Sequence, residues 1–250
     1  MSGLVLISSA QGVCELRLNR PDKRNALTLA MYEALTQAMQ QAEQDDSVRA
    51  ILLGGEGASF CAGNDLQDFL SSTDLGEAHS AVRLLRLLPR IRKPLIAAVH
   101  GRTVGFGVTL LLHCDLVLAG RGAQLSMPFV RLGLVPEAAS SLLLPRLIGH
   151  QRAAELLFLG SPLDAAEAFR LGLVNQVVEE ERLPEEARAL ARSVAQQPTG
   201  ALLATRRLLR GSPDEIDARI TEELHAFRAQ LRSEEFRTAA QAFFTKRRPE

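Results

Sequence analysis

In the segment GLVPEAASSLLLPRLIG, residues 133–149, one acid stands at the head of an apolar run. Glu137 follows Pro136 and precedes Ala138, Ala139, Leu142, Leu143 and Leu144. Burial among such neighbours penalises a charged carboxylate and raises its pKa. Pro136 reads as the first residue of a helix, where its fixed φ fits and its missing N–H costs nothing. Glu137 then falls in the first helical turn, where the helix dipole favours the ionised form. Those opposed pulls suit an acid that must be ionised yet basic enough to take a proton. A glutamate that merely complements the dipole has the same local sequence, so this segment alone leaves both readings open.

Two glycine turns supply the complementary feature. In ASFCAGNDL, residues 58–66, a strand-like Phe60-Cys61-Ala62 enters Gly63, and Asp65 is a plausible N-cap for a following helix. In HGRTVGFGVTLLLHCDL, residues 100–116, Gly105 and Gly107 bracket Phe106 before an apolar helix. The first N–H groups of a helix lack intrahelical partners. Each turn is explained by a capped helix start. One N–H from each turn, converging on a single oxygen, would form an oxyanion hole, in which each donor is worth about 2.7–4 kcal/mol in the transition state. A third segment, NRPDKRNAL (19–27), is a basic turn carrying Arg20, Lys23 and Arg24, either simply solvated or able to hold a phosphate. His100 and His113 lack a paired nucleophile or carboxylate and read as satisfied interior or boundary residues. Asp115 reads as a backbone brace and Cys61 as small packing. Ser140 and Ser141 either hold the Glu137 turn or line a pocket.

These residues need a scaffold. Strand patterns occur at VCELRLN (13–19), VRAILLGG (48–55), PLIAAVHG (94–101) and CDLVLAG (114–120). Thr28 opens a helix whose Met31, Leu35, Ala38, Met39 and Ala42 share a face, and 79–93 is a second helical run. From Pro136 onward the periodicity is helical almost throughout, with Pro162, Pro184, Pro198 and Pro213 at or near helix starts. The helix 214–232 presents Ile216, Ile220, Leu224, Phe227 and Leu231 on one stripe, which fits a subunit contact or its own core equally. An α/β core, 1–195, followed by a helical region, 196–250, is the expected division.

Bulk properties narrow the function. The 250 residues carry 29 basic and 29 acidic groups, so no net charge argues for nucleic acid or an anionic membrane. All the basic residues except Lys23, Lys93 and Lys246 are arginine, a bias that fits genome composition. Three scattered cysteines, Cys14, Cys61 and Cys114, suit a reducing compartment and form neither a disulfide framework nor a zinc motif. No signal peptide, membrane span or peroxisomal C-terminal address is expected, which leaves a cytoplasmic protein.

Taken together, NRPDKRNALT, FCAGNDL, KPLIAAVHGRTVGFGVTLLLHCDLVLA, LGLVPEAASSLLLPRLIG and AFRLGLVNQVV resemble the enoyl-CoA hydratase/isomerase (crotonase) superfamily over nearly the whole chain. AGNDL with PEAASS resembles in particular the peroxisomal-type Δ3,Δ2-enoyl-CoA isomerases. The resemblance implies an α/β fold, a crotonase-type spiral of ββα units with a helical C-terminal trimerisation region. It also implies an acyl-CoA thioester substrate, a homotrimer or a hexamer built from two trimers, and no metal or resident cofactor, since CoA arrives with the substrate. It maps an oxyanion hole onto the N–H groups of Asn64 and Phe106. CoA contacts map onto Lys23, Arg24 and Ala26, onto Ala62, Gly63, Asn64, Asp65 and Leu66, and onto Phe243 and Lys246 near the C-terminus.

Where hydratases of the superfamily carry two glutamates, this chain has Thr109 and Phe129. Neither exchanges a proton usefully near neutral pH, and Phe129 tends to exclude water. Glu137 stands where those hydratases usually have glycine. The implied activity is therefore a Δ3,Δ2-enoyl-CoA isomerase with Glu137 as its single base, rather than an enoyl-CoA hydratase. An acyl-CoA hydrolase and a non-catalytic acyl-CoA-binding protein are the alternatives.

Overall fold

The computed structural model describes residues 3–71 and 75–245. Nine strands are found among them: β1 (Val5–Ala10), β2 (Val13–Leu18), β3 (Ala50–Gly55), β4 (Leu95–Val99), β5 (Arg102–Val104), β6 (Leu116–Gly120), β7 (Gln124–Ser126), β8 (Leu163–Asp164) and β9 (Gln176–Val178). The helices are α1 (Leu29–Gln44), α2 (Leu66–Ser71), α3 (Ser80–Leu87), α4 (Phe106–Thr109), α5 (Ser140–Ile148), α6 (His150–Leu159), α7 (Ala165–Arg170), α8 (Leu183–Ala195), α9 (Thr199–Arg210), α10 (Pro213–Leu231) and α11 (Glu234–Thr245).

The larger sheet has the order β1-β2-β3-β4-β6-β9, and the smaller one β5-β7-β8. All neighbours in the larger sheet are parallel except the β1–β2 hairpin. The chain leaves β4 for β5, and leaves β6 for β7, so each turn gives one strand to each sheet before a helix returns it. This is the spiral of ββα units that the sequence resemblance implies. Isolated bridges extend the smaller layer: Leu27 pairs with Asn64, and Cys61 with Thr103. The basic turn and both glycine turns are thereby stacked side by side, although they are far apart in sequence.

Parallel strands must be covered on both faces. Ile51, Leu53, Ala97 and Val117 enter the main core with Met31, Leu35 and Met39 of α1. Ala50, Leu52, Ile96 and Leu118 face the other way, onto Ala187, Ala191 and Ala195 of α8. Alanine every fourth residue lets that helix approach the sheet closely. Thr28 caps α1, its Oγ1 accepting the Met31 N–H at 3.2 Å.

The stripe on α10 resolves one open choice. Ile216, Ile220, Leu224, Phe227 and Leu231 are buried in the main core of their own chain. Two expectations need correction. The almost wholly helical reading after Pro136 misses two strands, since β9 adds an edge strand to the large sheet and β8 one to the small. Strands of two and three residues carry too little alternation to be read from sequence. Nor does Pro136 begin a helix: α5 starts at Ser140, with Ala139 in a left-handed conformation at its N-cap.

Candidate active site

Glu137 occupies a turn ahead of α5, so the anticipated first-turn position does not exist. Ala138 and Ala139 both take positive φ, 60° and 55°. A left-handed conformation costs a non-glycine residue roughly 1–2 kcal/mol, so outside contacts must hold this turn. Glu223 on α10 accepts the Ala139 N–H at 2.6 Å and the Ser141 N–H at 2.9 Å, capping α5 in place of a local residue. His113 meets the Ala138 carbonyl through Nε2 at 2.8 Å. A carbonyl only accepts, so Nε2 carries the proton. Burial pushes the His113 pKa down to about 4, which keeps that ring neutral. Its Nδ1 finds no partner among the described residues, so this histidine is only half satisfied.

The turn aims Glu137 inward. Glu137 is 6% exposed and lines a cavity of about 20 Å³ with Tyr32, Asn64, Leu75, Ala81, Val82, Leu85, Leu224 and Phe227. Thr109 donates to Glu137 Oε1 at 2.6 Å. Burial pushes the Glu137 pKa up to about 8; the Thr109 hydrogen bond opposes the rise, and the Glu223 charge adds to it. The raised basicity anticipated from the apolar neighbours is present, but the opposing pull comes from the Thr109 hydrogen bond rather than from a helix dipole, and the Glu223 charge adds to the rise.

The two glycine turns pack directly on one another. A Cβ on Gly63 (φ 84°) would come within 2.9 Å of the Val104 carbonyl oxygen. A Cβ on Gly107 would come within 2.8 Å of the Cys61 carbonyl oxygen. The Val104 N–H binds that same Cys61 oxygen at 2.8 Å. The bridge to Leu27 uses the Leu27 and Asp65 N–H groups and the Gly63 carbonyl, leaving the Asn64 N–H turned away from it. Phe106 opens α4 without a side-chain cap. Among the described residues neither the Asn64 nor the Phe106 N–H has a hydrogen-bond acceptor.

The remaining site candidates fall into two groups. Lys23 and Arg24 are exposed on the basic turn, and Arg24 accepts the Ala62 N–H at 2.9 Å. Arg20 binds the Ala26 carbonyl at 2.9 Å and Asp65 at 2.7 Å, so Ala26 and the Ala62–Leu66 segment form one strip. Asp65 accepts the Gln67 N–H at 3.0 Å, the cap anticipated for α2. Phe129 is buried but does not line the Glu137 cavity among the described residues. Lys246 lies outside the described residues, as does the side chain of Phe243.

Asp115 braces the backbone as anticipated, accepting the Leu95 N–H at 2.8 Å and pairing with Arg206 and Arg210 of α9. His100 Nε2 meets the Gly57 carbonyl at 2.9 Å. Tyr32 and Glu223 are the residues missed by sequence reading. Tyr32 falls within one turn of the apolar stripe of α1, and Glu223 precedes Leu224 on the buried stripe of α10. A buried stripe flanked by a polar residue was the only available signal, and it does not name the partner.

The family model for Enoyl-CoA hydratase/isomerase matches residues 8–250. The chain belongs to that family. It is an enzyme of the crotonase superfamily, and its relatives differ in activity. It is 37% identical over 258 residues to the 1,2-epoxyphenylacetyl-CoA isomerase of Escherichia coli (strain K12), covering 100% of this chain and 98% of that one. It is 35% identical to enoyl-CoA delta isomerase 2 of Rattus norvegicus, covering 97% of this chain but 64% of that longer protein. A solved enoyl-CoA hydratase/isomerase from Pseudoalteromonas atlantica T6c superposes with a TM-score of 0.94 at 40% identity, covering 99% of each chain. No helix of the described residues is long and apolar enough to cross a membrane.

Proposed function

We propose that this enzyme is a Δ3,Δ2-enoyl-CoA isomerase acting in acyl-CoA degradation. One observation carries the reading: Glu137 is the single carboxylate lining the cavity among the described residues, and Thr109 rather than a second acid binds it. Addition of water in this superfamily calls for a pair of glutamates; moving a double bond within one substrate calls for one base. The thioester carbonyl of a 3-enoyl-CoA accepts the N–H groups of Asn64 and Phe106. Glu137 takes a proton from C2, giving a dienolate whose oxyanion those donors stabilise. The same carboxyl group returns the proton to C4, leaving trans-2-enoyl-CoA, and the ionised base is regenerated. A carboxyl with a raised pKa is matched to removing a carbon-bound proton near neutral pH.

The strip formed by Lys23, Arg24, Ala26 and Ala62–Leu66 would carry the CoA portion, with Phe243, Lys246 and Phe129 as further contacts. No metal or resident cofactor enters this scheme. A homotrimer or a pair of trimers is supported by exposed apolar side chains, notably Phe158, Leu159 and Phe169, and by Leu208 and Leu209 at 79% and 82% exposure. A cytoplasmic location is supported by three cysteines without a disulfide.

The test is incubation with cis- and trans-3-enoyl-CoAs of several lengths, following the conjugated thioester by ultraviolet absorbance. Conversion to 2-enoyl-CoA is the expected result, with little water addition to crotonyl-CoA. Robust hydration would overturn the reading of Thr109 and Phe129. Release of free CoA thiol would assign a hydrolase, and tight binding without any product a non-catalytic protein.

A further inference from the structure

The proton transfer above makes no use of Tyr32, yet this residue touches more of the site than any local pattern required. It is fully buried on α1 and lines the same cavity as Asn64 and Glu137. Its hydroxyl donates to Asn64 Oδ1. Its ring meets that of Phe106 edge-on, with centroids 5.1 Å apart and planes at 62°. One side chain therefore contacts both Asn64 and Phe106, whose N–H groups have no acceptor among the described residues. α1 is itself anchored in the main core by Met31, Leu35 and Met39, so the phenol is held on a rigid support.

That arrangement has a mechanical consequence. An oxyanion hole works only while both donors keep the spacing that fits one oxygen. Pinning Oδ1 restricts the Asn64 rotamer, and the permitted rotamers of a residue depend on its backbone angles. The edge contact limits movement of the Phe106 side chain at the start of α4. Burial, and then the nearby Glu137 charge, keep the Tyr32 pKa well above the ordinary phenol value, so the hydroxyl remains a donor across the working range.

We propose that Tyr32 is a positioning residue that fixes the relative placement of Asn64 and Phe106 so that their two amides bind a single thioester oxygen. The inference rests on the isomerase reading only in naming that oxygen as the carbonyl of an acyl-CoA.

The test uses Tyr32→Phe, which keeps the ring contact and removes the hydroxyl, and Asn64→Ala, which removes its acceptor while retaining the backbone N–H. Two readouts apply: steady-state turnover of a 3-enoyl-CoA, and the absorbance shift of a bound 2,4-dienoyl-CoA, which reports polarisation of the thioester carbonyl. Tyr32→Phe should lower kcat about 10-fold with KM within about 2-fold, and should shrink the red shift. The double variant should be no worse than the more damaged single, because both act through one bond. Wild-type kcat and red shift in Tyr32→Phe would overturn the proposal. If that variant fails to fold, Asn64→Ala must show the same paired loss for the proposal to stand. A wild-type protein that isomerises nothing but reddens bound dienoyl-CoA, with the shift lost in Tyr32→Phe, would refute the isomerase reading and leave the role of Tyr32 supported. Absence of any shift in the wild-type protein would overturn the positioning role itself.

Discussion

The pair of glycine turns and the turn that carries Glu137 are built by opposite means. In the 61–66 and 104–107 turns, glycine backbone presents the Asn64 and Phe106 amides, which have no acceptor among the described residues: Gly63 and Gly105 take positive φ, and Gly107 lies against Cys61 too closely for a side chain. In the Glu137 turn, Ala138 and Ala139 adopt left-handed conformations that alanine resists. There the turn is held by Glu223 from α10 and His113 from the segment after α4. Each amide turn takes its own bend from glycines adjacent in sequence, and only its placement against the other turn depends on distant contacts. The acid turn depends on contacts 25 and 84 residues away. The bend that bares a donor can be written locally, whereas a turn of alanines that aims an acid into an apolar cavity needs a distant clamp.

The sharpest break in that comparison is Glu137→Gln. It keeps an oxygen to accept from Thr109 but cannot shuttle a proton, so turnover should fall at least about 10²-fold while acyl-CoA binding persists. The same variant tests the linkage of Glu137 to stability. A carboxyl whose folded pKa lies near 8, against an ordinary value near 4.5, binds its proton more tightly in the native state. Its stabilising contribution is full below the ordinary value and is lost as pH rises towards and through about 8. Melting curves should therefore show the wild type losing stability relative to Glu137→Gln between those limits. Equal pH profiles would remove the buried-acid account. In the wild type, kcat/KM should rise with pH through about 8 as the base ionises.

Next in size, Gly63→Ala attacks the amide turns. With φ at 84° and the Val104 oxygen 2.9 Å from the new Cβ, backbone must move. A loss of about 1–3 kcal/mol in denaturant midpoints, with loss of activity, is expected. Glu223→Gln attacks the acid turn more mildly. The amide retains one acceptor for two N–H groups, and the charge that helps raise the Glu137 pKa is gone. The expected outcome is a kcat lowered about 10-fold, with the pH–rate midpoint moved down; an unchanged midpoint would show that Glu223 acts through geometry alone. The smallest effect should come from Ala139→Gly. Glycine accepts the left-handed conformation, so a gain of about 1 kcal/mol is expected, read as a raised Tm.

The helices and strands with strong patterns were legible without coordinates. The Thr28 cap, the α1 stripe, the strands ending in glycine and the Asp65 cap all rest on interactions between near neighbours. Short strands β5, β7, β8 and β9 were not, since their stability comes from pairing rather than from their own composition. The start of α5 was misread for a related reason. Pro136 is a sound first helical residue in isolation, but the carboxylate of Glu223 rewards a later start at Ser140.

What the sequence by itself determined, then, was which residue types were present and which short-range geometries they favoured: an acid among apolar neighbours, two bends open to a ligand oxygen, and a family resemblance binding them together. Tertiary structure alone decided that Glu137 enters the cavity shared with Asn64, that Thr109 and Glu223 tune it, and that Tyr32 joins the two amide-bearing residues. The physical reason is range. Backbone preference and capping act over a few residues, whereas desolvation and clamping depend on which distant surfaces the spiral brings together.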